Sequence, residues 1–226
     1  FFLADIDTER DGLELWYIQE DKAWYDLPVH LRDPANGELI WGVGDDSWGD
    51  VGRGMAADIH PGFSGMEVWS PIGALYSSKG QEIAPENPRY ANTFVCDFAA
   101  WWDDDLQREL TQGGRLLKYN HQNNVVDRIG TVSPRTYTVA DVLGDWREEI
   151  IGFVDGKIRV CTPASLSTRR FRTLMHDPLY RLDVSFMTMG YAQIPNPSFY
   201  FGENMAAPPI HDIYTAHGSD TAYTSL

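Results

Sequence analysis

The sequence has few cysteines and few basic residues for its length. Two cysteines in 226 residues cannot build a disulfide scaffold, and their spacing is not that of a metal site. Lys and Arg number 18 against 33 Asp and Glu, a net charge of −15. Nucleic acids and anionic membranes require clustered positive charge, so neither is an expected partner. The acidic excess suits a cation-binding protein or simply a soluble one, and the placement of the carboxylates favours the first.

Long apolar runs and helical periodicity are also missing. No run approaches the ~20 apolar residues that span a bilayer. Phe1–Ala4 leads directly into Asp5 without a signal-peptide pattern, which says little because the chain begins inside a repeat unit. Only Asp104–Leu117 has a helical pattern, and it is weak. The 43% hydrophobic and 13% aromatic content nevertheless allows a sizeable core of β-structure.

A recurring unit dominates the chain: acidic residues on a tight turn run into a short apolar, β-rich stretch. Four aspartates lead these units, Asp5, Asp58, Asp97 and Asp141, so the steps between them are 53, 39 and 44 residues. Repeats of this length, each forming one small antiparallel sheet, are typical of β-propeller blades. The pattern predicts an all-β protein of about four blades.

Hairpins follow the acidic turns at three places. Leu31–Trp41 contains Asn-Gly and Ile151–Val160 contains Asp-Gly, pairs that supply the positive φ angles of tight turns, and Leu75–Ile83 has the same layout. Each unit is therefore predicted as an acidic turn, a strand, a hairpin and a strand. We expect residues 1–210 to form a partial propeller and residues 211–226, which are small and polar, to be a frayed tail.

The acidic turns are candidate calcium sites. Calcium takes six to eight oxygen ligands, and Asp at two nearby turn positions with Glu on the next strand delivers several of them. His60 stands in place of the second Asp in the second unit. The alternative is that each Asp caps its own turn, but four turns of one layout favour calcium. The predicted ligands are Asp5, Asp7, Glu14, Asp58, Glu67, Asp97, Asp103, Asp105, Asp141, Asp145 and Glu149.

Four longer strings resemble the family 11 polysaccharide lyases, the rhamnogalacturonan lyases, and do so in the same order. They are Asp50–Asp58, Ala100–Leu106, Leu143–Glu149 and Thr173–Arg181. The resemblance implies an eight-bladed propeller that holds several calcium ions and cleaves the rhamnose–galacturonate backbone of pectin by β-elimination. Family members are several hundred residues long, so the chain corresponds to their C-terminal half. The implied partners are the polysaccharide and either the missing propeller half or a second copy, in a secreted or periplasmic location.

The resemblance also implies site residues. Tyr191, Arg53 and His176 are the catalytic candidates, and Arg135, Tyr191 and Arg181 are the substrate-binding candidates, with Lys118 an outside candidate. Each has a purely structural alternative, such as an inter-blade ion pair for Arg53, a satisfied hydroxyl for Tyr191 or an oriented turn histidine for His176.

Two stretches depart from the family pattern. Ile18–Asp21 lacks the histidine of a Val-His-Glu-Asp string, and Ser133–Tyr137 stands where the family has Asn-Gly-Thr-Lys, so that Arg135 is left to carry the positive charge. These departures keep a second hypothesis open, a non-catalytic, calcium-stabilised propeller module that binds polysaccharide or a protein. A structural half-propeller whose mate holds the active residues is a third.

Overall fold

Short antiparallel strands make up nearly all the regular structure of this computed structural model. It describes residues 1–19, 27–45, 47–85, 97–133, 135–187 and 194–212, together with the backbone of 214–216 and 223–225. Within that part, no helix is long and apolar enough to cross a membrane.

Fifteen strands form four small sheets in chain order, and in each sheet consecutive strands are neighbours. Blade 1 contains β1 (Phe2–Ala4), β2 (Glu14–Ile18), β3 (Val29–Arg32) and β4 (Leu39–Val43); blade 2 contains β5 (Met55–Ala57), β6 (Glu67–Trp69), β7 (Leu75–Tyr76) and β8 (Glu82–Ala84); blade 3 contains β9 (Phe98–Ala100), β10 (Glu109–Gln112), β11 (Arg115–Asn120) and β12 (Val125–Thr131); blade 4 contains β13 (Thr136–Ala140), β14 (Glu149–Val154) and β15 (Lys157–Cys161). The prediction of four propeller blades is confirmed.

The three predicted hairpins are present as β3–β4, β7–β8 and β14–β15. Asp155 and Gly156 both have positive φ, 50° and 74°, as the tight turn between β14 and β15 requires. Strands β16 (Tyr214–Ala216) and β17 (Tyr223–Ser225) pair with each other inside the stretch expected to be a frayed tail.

Buried tryptophans lie in two apolar clusters: Trp16 and Trp69 belong to the main core of the sheets, and Trp101 and Trp146 pack with Leu174, Tyr180 and Phe201. Trp16, Trp69, Trp101 and Trp146, one from each repeat unit, are at most 1% exposed. The Trp16 indole donates to the Trp69 carbonyl at 3.4 Å, which joins blade 1 to blade 2. These large side chains explain why short strands suffice, because each buried indole removes a large apolar surface from water.

One α-helix was missed by the sequence analysis. Helix α1 (Pro178–Phe186) begins with proline in its first turn, and the Asp177 carboxylate accepts a hydrogen bond from the Tyr180 amide at 2.9 Å. Aspartate followed by proline is a helix-start signal, so the sequence did carry the information.

The helical pattern of Asp104–Leu117 was a wrong prediction. This stretch forms the end of a turn and then strands β10 and β11. Gly113 and Gly114, with φ of 56° and 82°, reverse the chain between the two strands, and adjacent glycines do not favour a helix.

Candidate metal centre

Each blade has a connection between its first two strands, and we call these connections acidic turns 1 to 4. They comprise residues 5–13, 58–66, 101–108 and 141–148. The first residue of the following strand is always a buried glutamate: Glu14, Glu67, Glu109 or Glu149. This shared layout places the four glutamates at corresponding positions of the four blades.

The four glutamates act as clamps on their own turns. In each case Oε2 accepts hydrogen bonds from two consecutive backbone amides of the turn, so one carboxylate oxygen is already used. The donors are Ile6 and Asp7 to Glu14 (3.0 and 2.9 Å), Ile59 and His60 to Glu67 (2.9 and 2.9 Å), Trp102 and Asp103 to Glu109 (3.1 and 3.3 Å), and Val142 and Leu143 to Glu149 (3.0 and 3.0 Å).

Burial raises the pKa of all four clamp carboxyls, and that of Glu109 rises to about 8. Water is excluded from these groups, so the charged form loses hydration that two amide donors only partly replace. A buried carboxylate of this kind gains from any nearby cation.

An aspartate of each acidic turn accepts a hydrogen bond from the part of the chain that follows the blades. Residues 162–187 and 194–212, which we call the C-terminal segment, follow β15 and reach all four acidic turns. The Tyr200 amide donates to Asp5 (2.9 Å), the Tyr200 hydroxyl to Asp58 (2.7 Å), the Thr168 amide to Asp104 (2.9 Å) and the Leu174 amide to Asp141 (2.8 Å).

Blade 3 departs from the predicted repeat. In the other blades the lead aspartate directly follows the first strand, whereas Trp101 holds this place after β9. Asp97 precedes β9, and its Oδ1 lies 3.5 Å from the Arg53 guanidinium. The assumed repeat was therefore out of register by four residues here, and Asp97 is separated from Asp103 and Asp105 by the whole strand.

Several carboxylate oxygens in the turns remain available to a cation. Within the described ranges, Asp5 Oδ1, Asp58 Oδ1, Glu67 Oε1 and Glu149 Oε1 are buried and accept no hydrogen bond. Buried polar atoms normally have partners, so these four oxygens, at turns 1, 2 and 4 and the glutamates that follow turns 2 and 4, are suited to ligating a cation. Of the other predicted ligands, Asp7 is paired with Lys79 at 2.7 Å and Asp145 with Arg147 at 2.5 Å.

Turn 3 brings three predicted ligands together. Oxygens of Asp103, Asp105 and Glu109 lie within 4.8 Å of one another, a grouping that could hold a metal ion. Lys118 Nζ lies 2.6 Å from an oxygen of each. Burial alone would lower the pKa of Lys118, but the negative charges of Glu109 and its two neighbours outweigh burial and raise it.

The candidate sugar-site residues are dispersed. Arg53 is half-exposed between Gly52 and Gly54, Arg135 is exposed, and Arg181 donates to the carbonyls of Met175 (2.6 Å) and His176 (3.0 Å). Tyr191, and with it the comparison of its direction with that of Arg53, lies outside the described residues. These assignments stay predictions.

His176 lines a cavity of about 170 Å³ in the C-terminal segment. Its Nδ1 is buried and accepts or donates no hydrogen bond to the residues that the structure describes. Arg170, Arg172 and His211 line the same cavity, and His211 Nε2 lies 3.1 Å from the Asp177 carboxylate. The sequence analysis missed these three, because nothing in their local sequence indicates that they converge.

A model of the rhamnogalacturonan lyase family 11 C-terminal domain matches residues 1–211. The chain belongs to this family. Rhamnogalacturonan endolyase YesW of Bacillus subtilis (strain 168) is 41% identical over 224 residues, which cover 94% of this chain and 34% of YesW. Rhamnogalacturonan exolyase YesX of the same organism is 36% identical over 241 residues, 95% of this chain and 38% of YesX.

Solved structures agree with this assignment. The crystal structure of rhamnogalacturonan lyase YesW has a TM-score of 0.83 at 38% identity and covers 92% of this chain and 36% of that one. The Bacillus licheniformis rhamnogalacturonan lyase PL11 has a TM-score of 0.85 at 37% identity, with 95% and 37% covered. The family 11 domain thus spans between a third and two fifths of these relatives' lengths, less than the half expected from its sequence.

A buried polar cluster joins blades 3 and 4 of the family 11 domain to the C-terminal segment. Arg108 is fully buried, with its guanidinium carbon 3.5 Å from the centre of the Trp101 ring and NH1 3.7 Å from Glu148. The Tyr180 hydroxyl donates to Glu148 at 2.8 Å and accepts from the Asp141 amide at 2.8 Å. This cluster fixes the position of turn 4 against turn 3.

The stability of the metal-free domain should fall between about pH 4, where these carboxyls titrate in the unfolded chain, and about pH 7. Burial raises the pKa of Glu148 to about 7 and that of Asp183 to about 6. Because both folded-state values exceed the unfolded ones, the folded state binds more protons, and this stabilisation is lost as the pH rises through 6 and 7. Urea unfolding in a chelator at several pH values measures the slope. Glu148→Gln should flatten it, and a free energy of unfolding that rises over this range would contradict the assignment.

Proposed function

We propose that this chain supplies the C-terminal blades of a lyase that cleaves the rhamnose–galacturonate backbone of pectin by β-elimination. The match to the family 11 C-terminal domain over residues 1–211 carries the proposal. An endolyase and an exolyase are both relatives, at 41% and 36% identity, so the proposal extends to internal and terminal cleavage alike. Since the chain spans only part of those relatives, catalysis is proposed for the propeller that includes these blades.

β-Elimination at galacturonate removes the proton at C5 and expels the glycosidic oxygen at C4. The neighbouring carboxylate must be neutralised, because its negative charge otherwise makes the carbanion-like transition state too costly. Calcium is the cofactor we propose, and when bound it supplies positive charge to the loops and to the substrate carboxylate. The unpaired buried oxygens of Asp5, Asp58, Glu67 and Glu149 support turns 1, 2 and 4 as the places where it is held.

Arg53 is our candidate for the residue that binds the galacturonate carboxylate. A Cβ at Gly54 would come within 2.5 Å of the Ile18 side chain. Glycine next to Arg53 therefore allows the backbone to pack directly against Ile18. The guanidinium is half-exposed, and its 3.5 Å ion pair with Asp97 is of the kind that contributes only about 0–1 kcal/mol. A substrate carboxylate can therefore compete with Asp97 for the guanidinium.

His176 and Tyr191 remain the candidates for proton transfer. The buried, unpaired His176 Nδ1, in a cavity that Arg170 and Arg172 also line, supports a role beside an anionic sugar. Arg135 and Arg181 remain the substrate-binding candidates. We further propose that the remaining blades, or a second copy, cover the open faces of this partial propeller, and that the protein is secreted or periplasmic, where the polymer is found.

The test mixes the folded chain with rhamnogalacturonan backbone, in calcium and again in a chelator, and follows ultraviolet absorbance. A calcium-dependent rise reports the new C4–C5 double bond and is the expected result if these blades act alone or as an oligomer. Tryptophan fluorescence in the same samples reports binding. Binding without a rise favours the polysaccharide-binding hypothesis for the isolated chain, and a folded chain that neither cleaves nor binds would contradict a substrate role for these blades.

A further inference from the structure

A lysine of strand β11, Lys118, brings a positive charge to the carboxylates of turn 3. Lys118 Nζ lies 2.6 Å from Asp103 Oδ2, from Asp105 Oδ2 and from Glu109 Oε1. An ammonium group has three N–H donors and no acceptor, so these three carboxylate oxygens use its full donor capacity. The side chain is 26% exposed, which leaves the charge partly shielded from water and makes the contacts stronger than those of a surface ion pair.

Strand register explains how the lysine reaches this position. Leu110 pairs with Leu117 across β10 and β11, and one step further along the same register sets Lys118 opposite Glu109. Residues directly opposite on an antiparallel pair have neighbouring side chains on one face of the sheet. The clamp glutamate of turn 3 therefore has a lysine as its cross-strand neighbour.

The same position in the other blades carries an oxygen-bearing side chain. Continuing the register of β2–β3, β6–β7 and β14–β15 by one step sets Asp33 opposite Glu14, Ser77 opposite Glu67 and Thr162 opposite Glu149. Carboxylate and hydroxyl oxygens can contribute to a calcium site, whereas an ammonium group cannot. Blade 3 is thus the exception among four equivalent positions.

Buried carboxylate oxygens without a hydrogen bond also distinguish blade 3 from the other three blades. In the part of the chain that the structure describes, the buried carboxylate oxygens without a hydrogen bond belong to turns 1, 2 and 4: Asp5 Oδ1, Asp58 Oδ1, Glu67 Oε1 and Glu149 Oε1. Turn 3 contributes none, although it has the tightest carboxylate group. Its need for positive charge is already met by Lys118.

We propose that the Lys118 ammonium is the resident cation of turn 3 and takes the place that a divalent ion would fill. Calcium binds carboxylate oxygens at about 2.3–2.6 Å, so an ion among Asp103, Asp105 and Glu109 would need the space that Nζ occupies. It would also stand a few ångströms from a positive charge. Turn 3 therefore binds no divalent ion, and its geometry does not depend on metal when a chelator removes ions from the rest of the protein.

The test counts bound ions in four variants and does not use lyase activity, so its failure is distinguishable from failure of the proposed function. Lys118→Thr recreates the side chain of Thr162 at the equivalent position of blade 4, and Lys118→Arg keeps the charge as a matched control. Asp105→Asn, alone and combined with Lys118→Thr, assigns any change to turn 3. Calcium binding is measured by calorimetry, and terbium luminescence, excited through the adjacent Trp102, gives an independent signal.

We expect Lys118→Thr to bind one more calcium ion than the original chain, and the double variant to lose it again. Lys118→Arg and Asp105→Asn alone should leave the number unchanged. If Lys118→Thr unfolds in a chelator and refolds on addition of calcium, the inference is equally supported. Loss of one ion from the original chain on Asp105→Asn would overturn it, as would a folded Lys118→Thr that gains no ion.

Discussion

Arg108→Met should lower the free energy of unfolding by about 3–5 kcal/mol, the cost of removing one partner from a buried ion pair. The Arg108 side chain is fully buried between blades 3 and 4, where NH1 lies 3.7 Å from Glu148. NH2 donates to the Pro195 carbonyl at 2.6 Å and so also holds the C-terminal segment. Methionine fills similar space but leaves a buried carboxylate and several acceptors without their donor.

Two controls separate the ion pair from simple packing. Arg108→Met combined with Glu148→Gln removes the buried carboxyl group that has lost its partner and should recover part of the loss. Arg115→Met changes an exposed arginine of the same blade that hydrogen-bonds to Gln112, and such surface changes cost within about 0.5 kcal/mol. Urea unfolding measures the free energy of unfolding of all three variants, fitted with one common dependence on urea concentration. A loss for Arg108→Met no larger than that for Arg115→Met would contradict the role we assign to the cluster.

Glu67→Ala should lower the free energy of unfolding by about 2–6 kcal/mol, because one buried and one partly buried amide lose their acceptor and each costs about 1–3 kcal/mol. Those amides belong to Ile59 and His60, both 2.9 Å from Glu67 Oε2. The other oxygen, Oε1, is buried without a partner among the described residues. The same side chain is thus a clamp through one oxygen and a candidate calcium ligand through the other.

Glu67→Gln separates these two roles. Its amide oxygen can still accept both backbone hydrogen bonds, so in a chelator it should be far more stable than Glu67→Ala. Glutamine carries no negative charge, so the stabilisation gained on adding calcium should be smaller than in the original chain. Thermal unfolding with and without calcium measures both effects. If Glu67→Ala and Glu67→Gln lose the same stability in the chelator, the hydrogen bonds from the two amides are not what Glu67 contributes. If calcium stabilises Glu67→Gln as much as the original chain, Glu67 is not a calcium ligand.

Local sequence signals predicted the blades because they encode local geometry. Asp155-Gly156 needs positive φ at both residues, and the glutamate that opens each second strand lies at most nine residues after the lead position. The error in blade 3 has the same origin. Asp97 resembles a lead aspartate in sequence, but Trp101 occupies that place, and only the strand boundaries distinguish the two.

Contacts over long sequence separations were not predictable. The Tyr200 amide reaches Asp5 across 195 residues, and the position of Lys118 depends on the register that the Gly113-Gly114 turn sets. Neither follows from periodicity or composition. These contacts decide which carboxylates of the acidic turns already have a partner, as Asp7 has in Lys79.

The most direct test of the central claim replaces the C-terminal domain of the Bacillus subtilis endolyase by these 226 residues. Ultraviolet absorbance on rhamnogalacturonan backbone is then compared for the chimera and the original endolyase, each in calcium and in a chelator, after circular dichroism has established that the chimera is folded. We expect a calcium-dependent rise in absorbance for the chimera. A folded chimera whose absorbance stays flat in calcium, while the original endolyase is active, would contradict it.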